Sequence, residues 1–248
     1  MAIFRTSVEA PDGMLKTLPV VTRTPEPVAF ARWAVREYRL KRIIDVLFSS
    51  LALAASAPVW LVIALAIKLE DGGPVFFTQL RWGRGQRAFR VYKFRSMSVT
   101  ADSRVQALQG DHRITRVGRL LRATSLDELP QIFNIWRGDM SWVGPRALPM
   151  NERQQNEAGA VPDSAVPGFA LRCAVRPGLT GIAQIFAPRD VPRRQKFRYD
   201  GFYIQRQSAW LDLRLIAISV WISVRLRWED RGPKVAWLRR GRRRSHGR

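Results

Sequence analysis

A chain of 248 residues, 46% of them hydrophobic, is long enough for one well-packed domain or two small ones and excludes wholesale disorder. Lys and Arg number 42 against 20 acids, and the net charge of +22 predicts an anionic partner: nucleic acid, acidic lipid or a phosphorylated substrate. A single cysteine, Cys173, excludes an intrachain disulfide, and with only His112 and His246 there is no basis for a zinc cluster. That usage fits a reducing, cytoplasmic setting, and it leaves carboxylates as ligands for any metal, which favours a hard ion such as Mg²⁺.

Residues 1–28 carry five Pro and Gly residues among polar ones and read as a flexible N-terminal arm, not a signal peptide. From Ala29 to Leu40 the pattern becomes helical and basic, as expected close to a membrane. Val46 to Ile67 are 22 residues without a charge, long enough to cross a hydrocarbon core of roughly 30 Å. Pro58 falls near the middle, however, and basic residues flank both ends, Lys41 and Arg42 before and Lys68, Arg81 and Arg84 after. Both ends then favour the same, cytoplasmic side. A reentrant helix broken at Pro58, with Ser56, other polar side chains or protein contacts satisfying the freed carbonyls, reconciles these facts; a kinked spanning helix and a soluble core helix are the alternatives.

Gly72, Gly73 and Pro74 mark a turn, and the segments Val75–Leu80 and Ala88–Phe94 around Gly83 to Gly85 predict a β-hairpin. Ser98 to Leu121 read as mostly helical, with Arg113, Arg116, Arg119 and Arg122 recurring every third residue, a pattern that usually marks a solvated face. It runs into Thr124-Ser-Leu-Asp-Glu-Leu-Pro-Gln131. There Ser125 and Glu128 have capping-box spacing, or Asp127 itself caps a helix with Pro130 in its first turn. Asp127 and Glu128 are then structural acids; alternatively, an ionised Asp127 beside the arginines attacks a bound phosphate.

Further on, 137–146 read as turn-rich, Gly159 to Gly168 as a loop, and Arg176 to Gly181 as a tight turn with Gly178 and Gly181 free to take positive φ. Ala209 to Trp228 regain helical spacing with only ten consecutive uncharged residues, Leu215 to Val224, too few to span. This predicts an amphipathic helix at the lipid surface or one packed under the rest of the fold. The tail from Lys234 holds seven Lys/Arg and no acid.

Taken together, Lys41-Arg-x-x-Asp45, the apolar run with Pro58, Gly73-Pro-Val-Phe-Phe77 with Gln79 and Arg81, Tyr92-Lys-Phe-Arg-Ser-Met97, Leu121-Arg-Ala-Thr-Ser-Leu-Asp-Glu-Leu-Pro-Gln131, Gly138-Asp-Met-Ser141, Val143-Gly-Pro-Arg146 and Arg176-Pro-Gly-Leu-Thr-Gly181 resemble, in order, the bacterial sugar transferases. More narrowly, over roughly residues 38–228, the chain resembles the monotopic phosphoglycosyl transferases, which move a hexose-1-phosphate from a nucleotide diphosphate sugar to undecaprenyl phosphate and so start glycan assembly. The resemblance implies Asp127 as nucleophile of a covalent phosphosugar intermediate, Glu128 beside it, and Mg²⁺ at the pair. It places basic site positions at Lys93, Arg122 and Arg146, and Arg95 and Arg119 join them as candidate substrate-binding cations.

The implied fold is α+β and mainly helical: a reentrant, proline-broken membrane helix at Ser56 and Pro58, a small cytoplasmic catalytic domain and interfacial amphipathic helices. The organisation expected is an arm over 1–28, membrane approach and reentrant helix over 29–70, a catalytic domain over 71–230 and a basic tail over 231–248. The setting implied is the bacterial inner membrane, with the catalytic domain on its cytoplasmic face. Its partners are a nucleotide diphosphate sugar, undecaprenyl phosphate and membrane lipid, with no nucleic acid; a homodimer is an open option.

Two departures from the family pattern stand out. Ser-Pro in the reentrant helix reads Ser56-Ala-Pro58, which shifts the serine, and Pro-Arg-Pro reads Pro145-Arg-Ala147, which is expected to loosen the turn. Larger relatives carry a multispanning N-terminal region, so this chain resembles the minimal catalytic form. The rival readings are a nucleic-acid binder using the basic and aromatic stretch Phe89 to Phe94, and a non-enzymatic membrane scaffold.

Overall fold

The computed structural model describes residues 37–98, 111–150, 153–156, 159–187 and 191–225, so the expected arm over 1–28, the segments 29–36 and 99–110, and the basic tail over 231–248 lie outside the described residues. Within the described residues the chain is mainly helical with short strand pairs, an α+β arrangement. Residues 37–40 are not helical, contrary to expectation; the first helix, α1 (Lys41–Asp71), starts where the basic approach ends. Gly72, at φ +68°, closes it by donating its N–H to the Lys68 carbonyl, a left-handed cap that a residue with a Cβ adopts only under strain.

α1 has 31 residues, about 46 Å at the helical rise, and runs as one helix through Pro58. Pro58 leaves the Ala54 carbonyl without its usual donor. Ser56 Oγ lies at 3.4 Å from the carbonyl one position earlier, Leu53, and accepts 3.0 Å from Trp60 Nε1, tying the turns on either side of the proline together.

Both ends of α1 are gripped by the rest of the protein. At its start, buried Lys41 Nζ donates to Asp212 Oδ2 (2.6 Å), Tyr203 Oη (2.9 Å) and the Val143 carbonyl (2.9 Å), and Asp45 Oδ1 accepts from Ser141 Oγ and Trp142 N. At its end, Ile63 and Ile67 pack on Phe94 and Leu121, Asp71 pairs with Arg95, and Glu70 accepts the N–H groups of Arg116 and Val117. Between these anchorages Leu51, Leu61 and Val62 are each at least two-thirds exposed. An apolar stretch of this length that the domain itself does not cover is of the kind that meets a membrane or a partner, and the helix is long and apolar enough to cross a membrane.

The expected hairpin forms: β1 (Phe76–Trp82) pairs antiparallel with β2 (Ala88–Phe94), in register from Phe76↔Phe94 to Trp82↔Ala88. Alternation sends Phe94 toward α1 while Val91 and Lys93 face the other way, where Val91 packs on Ile135 and Met140. The predicted helix over 98–121 is shorter in its described part. α2 (Arg116–Thr124) begins only after Thr115, whose side chain accepts from Gly118 N and caps it. α3 (Gln131–Arg137) then docks against β2 through buried Asn134, which accepts from Tyr92 N and donates to the Arg90 carbonyl.

Three segments read as turns or loops contain strands. β3 (Ser141–Val143) and β6 (Gly178–Thr180) form a parallel pair, and β4 (Arg153–Asn156) pairs with β5 (Gly159–Pro162). Gly178 and Gly181 do not use positive φ; their lack of a side chain serves close approach instead. A Cβ on Gly178 would sit 2.0 Å from Gly144 N, and one on Gly181 2.3 Å from the Gly144 carbonyl. The short helices α4 (Phe169–Arg172) and α5 (Ile182–Phe186) lead to α6 (Arg193–Arg206) and α7 (Ala209–Val224).

α7 packs Leu211, Leu215 and Ile222 into a core with Val143, Ile185 and Tyr203, while Trp210, Val220 and Val224 stay exposed. One side therefore lies under the domain, and the other remains apolar and open.

Candidate active site

Asp127 and Glu128 lie in a single 3-10 turn, Leu126–Glu128, wedged between α2 and α3. Neither acts as a helix cap. Ser125 is in the left-handed region (φ +60°) with no capping bond from its side chain, and α3 begins beyond Pro130 with no side-chain cap. The capping box fails because Glu128 has stronger partners: charge-assisted bonds to two cations outweigh one bond to a peptide N–H.

Lys93 Nζ donates to Glu128 Oε1 at 2.6 Å, and Arg146 donates to the same oxygen at 2.9 Å. Asp127 Oδ2 stands farther off, 3.8 Å from Lys93 Nζ, with its side chain 13% exposed. The two acids are thus inequivalent.

Electrostatics separates them further. Burial pushes the Asp127 carboxyl up to about 6 against the opposing charge of Lys93, and Glu128 beside it adds to the rise. Burial opposes ionisation of Glu128 too, but the Arg146 and Lys93 charges outweigh it and hold that carboxyl well below the usual range. Burial also draws the Lys93 ammonium below its ordinary value, with Glu128 and Asp127 resisting. Glu128 is the fixed anion that orients the cations, and Asp127 is the more available carboxylate.

Of the basic residues expected here, Lys93 and Arg146 meet the acids directly, and Arg122 on α2 contributes an opposite charge to Asp127. Arg119 is exposed on α2 and makes no ion pair with either carboxylate. Arg95 is used elsewhere: its guanidinium forks onto Asp71 and donates from Nε to the Pro74 carbonyl at 2.7 Å, fastening the end of α1. Arg113 folds back onto Asp111, so the three-residue arginine period does not build one continuous row at the site.

The sequence reading missed Arg81. This buried residue on β1 adds positive charge at both Lys93 and Glu128. Strand alternation places Phe77, Gln79 and Arg81 on the face that carries Lys93, a period-2 signal that could have found it.

The turn at Pro145-Arg-Ala147 is not loosened by the missing second proline. Gly178 N donates to the Pro145 carbonyl at 2.9 Å, Arg146 bridges Gly178, and Ala147 is buried.

No group of three or more His, Cys, Asp or Glu gathers among the described residues. Asp127 and Glu128 nevertheless fit Mg²⁺ by donor type, since that ion takes one or two carboxylates and completes its shell with water and substrate phosphates.

Residues 36–225 match the family described as bacterial sugar transferase. The chain is 43% identical over 187 residues to a UDP-glucose:undecaprenyl-phosphate glucose-1-phosphate transferase of Klebsiella pneumoniae, covering 73% of this chain and 39% of that protein. It is 44% identical over 187 residues to a protein of the same name from Caulobacter vibrioides, covering 73% and 68% respectively. It is 42% identical over 185 residues to the exopolysaccharide production protein PSS of Rhizobium leguminosarum, covering 71% and 91%. With the match running from just before α1 to the end of α7 and enclosing every residue of the carboxylate site, the chain belongs to the bacterial sugar transferase family.

Proposed function

We propose that this protein transfers a hexose-1-phosphate from a UDP-hexose to undecaprenyl phosphate, releasing UMP and starting glycan assembly at the bacterial inner membrane. The observation that carries the reading is the inequivalence of the two acids. Glu128 is committed to Lys93 and Arg146, which leaves Asp127 as the carboxylate with capacity to react.

In the first half-reaction an Asp127 Oδ attacks the sugar-bearing phosphorus of the donor. The phosphoanhydride bond breaks, its electron pair leaves on UMP, and an aspartyl-phosphosugar remains. In the second, a phosphate oxygen of the lipid attacks the same phosphorus, the bond to Asp127 breaks, and the carboxylate is regenerated. Attack by an anion on a diphosphate requires screening, which Lys93, Arg122 and Arg146 supply at fixed positions around the acids. Mg²⁺ held by Asp127 and Glu128 would add charge neutralisation on the diphosphate. Glu128 keeps Lys93 and Arg146 aimed at the reacting centre throughout.

The lipid acceptor demands a site at the bilayer surface. That α1 is anchored at both ends to one domain supports a helix that dips into a single leaflet from the cytoplasmic face rather than crossing, with Ser56 and Pro58 at its deepest turn. The exposed apolar side of α7 supplies a second, interfacial contact.

The test is to incubate membranes with radiolabelled UDP-glucose, the donor named for two relatives, and then with other UDP-hexoses, scoring organic-phase product and UMP. Intact-mass analysis of enzyme held with donor and no lipid should show one hexose-phosphate on Asp127. Absence of that adduct with full turnover would overturn the mechanism. Cysteines placed near residues 30 and 240 should label from the same side of the membrane; opposite-side labelling would remove the reentrant topology.

A further inference from the structure

Arg146 reaches Glu128 from an exposed position, its side chain 46% open to solvent, so the aim of that long guanidinium depends on how firmly its main chain is held. Three consecutive carbonyls answer the question. The Pro145 carbonyl accepts from Gly178 N at 2.9 Å. The Arg146 carbonyl accepts from the Arg172 guanidinium at 2.6 Å, and the Ala147 carbonyl accepts from the Arg81 guanidinium at 2.7 Å.

Both arginines are buried, Arg172 at 5% and Arg81 at 9% exposure. Each is also steadied from behind: Arg172 donates from Nε to Asp200 Oδ2 at 3.1 Å and lies 4.5 Å over the Phe197 ring, and Arg81 donates to Gln79 Oε1 at 3.0 Å. Burying a charge for stability alone is a poor strategy, since a well-packed apolar residue often does as well. Two buried cations directed at successive carbonyls of one exposed turn have a different use.

We propose that Arg172 is a positioning residue for Arg146, and that Arg81 shares the task at the next carbonyl of the turn. The pair from α4 and β1 clamps the backbone so that the Arg146 side chain stays on Glu128 and faces the donor diphosphate. This rests on the function proposed above, yet the clamp itself is testable without substrate.

Arg172→Lys keeps a cation beside Asp200 but offers no planar fork to hold Asp200 and the Arg146 carbonyl together. Hydrogen exchange of the substrate-free full-length protein should show residues 144–148 exchanging at least about tenfold faster, with unchanged rates in α1; unchanged protection of the turn overturns the proposal. In the transfer assay Arg172→Lys should lower kcat/KM by about ten- to a hundredfold, the size of loss that a small misplacement causes. Combined with Arg146→Ala it should be no worse than Arg146→Ala alone. Losses that multiply in the double variant would show a merely structural role and also overturn the proposal.

If Arg172→Lys does not fold, Arg172→Met with Asp200→Leu removes both buried charges together and enters the same cycle. A wild-type enzyme that fails to turn over any UDP-hexose removes the proposed function, whereas the exchange result still decides the clamp.

Discussion

Two lysine–acid clusters can be compared within this molecule. Around Lys41, every strong donor and acceptor faces protein: the ammonium serves Asp212, Tyr203 and a main-chain carbonyl, and Tyr38 Oη adds a further bond to Asp212. Burial drives the Tyr38 and Tyr203 hydroxyls far above their usual range, so they remain neutral donors to the carboxylate. Around Lys93, one Glu128 oxygen takes both the Lys93 ammonium and the Arg146 guanidinium, while Asp127 stands 3.8 Å from Lys93. Each cluster centres on a lysine and a carboxylate; what separates the tether from the candidate reactive site is a second carboxylate, Asp127, held at longer range. The first cluster joins α1 to β3 and α7, and the second joins β2 to the Leu126–Glu128 turn and to Arg146.

The largest expected effect is on the Asp127 side of that contrast. Asp127→Asn preserves shape, so transfer should fall by at least about a thousandfold with melting behaviour close to that of the parent. Retained turnover in the membrane assay would make the two clusters equivalent and both structural. Lys93→Met comes next, with transfer reduced by about a hundred- to a thousandfold through loss of charge screening.

Lys41→Met should do the reverse. It strands buried Asp212 and should cost about 3–5 kcal/mol of stability, partly recovered when Asp212→Leu removes the orphaned charge. Chemical unfolding in detergent reads both variants. The smallest effect is graded: because burial raises the Asp127 carboxyl to about 6, the attacking carboxylate is present above that pH and lost below it. The transfer rate should therefore fall about tenfold per unit as the pH drops through the acid limb. A limb lying near the ordinary carboxylate range, about 4, would place the nucleophile in a wetter setting than the one described.

Several features were legible because their cause is local. The uncharged run around Pro58 announced α1, aromatic and polar alternation announced the β1–β2 pair, and the adjacent acids marked the candidate site. The capping reading of Ser125 and Glu128 failed because spacing along a helix is blind to a lysine 35 residues earlier in the chain. The arginine period misled for a related reason. Arg113 found Asp111 two residues away and Arg95 found the end of α1, while Lys93 and Arg146 pair with the acids and Arg122 and Arg81 act on them through their charge.

By itself, the order of residues determined a long apolar helix, a cluster of basic and acidic residues and the family to which the chain belongs, because those depend on composition, period and short motifs. Tertiary structure alone decided which acid is spent on cations and which is available. It also decided that Lys41 meets Asp212 across 171 residues, that β3 lies parallel to β6, and that Arg81 and Arg172 close on one turn. Contacts between distant segments leave no period in a sequence; they come into being only when burial of the shared core brings the segments together.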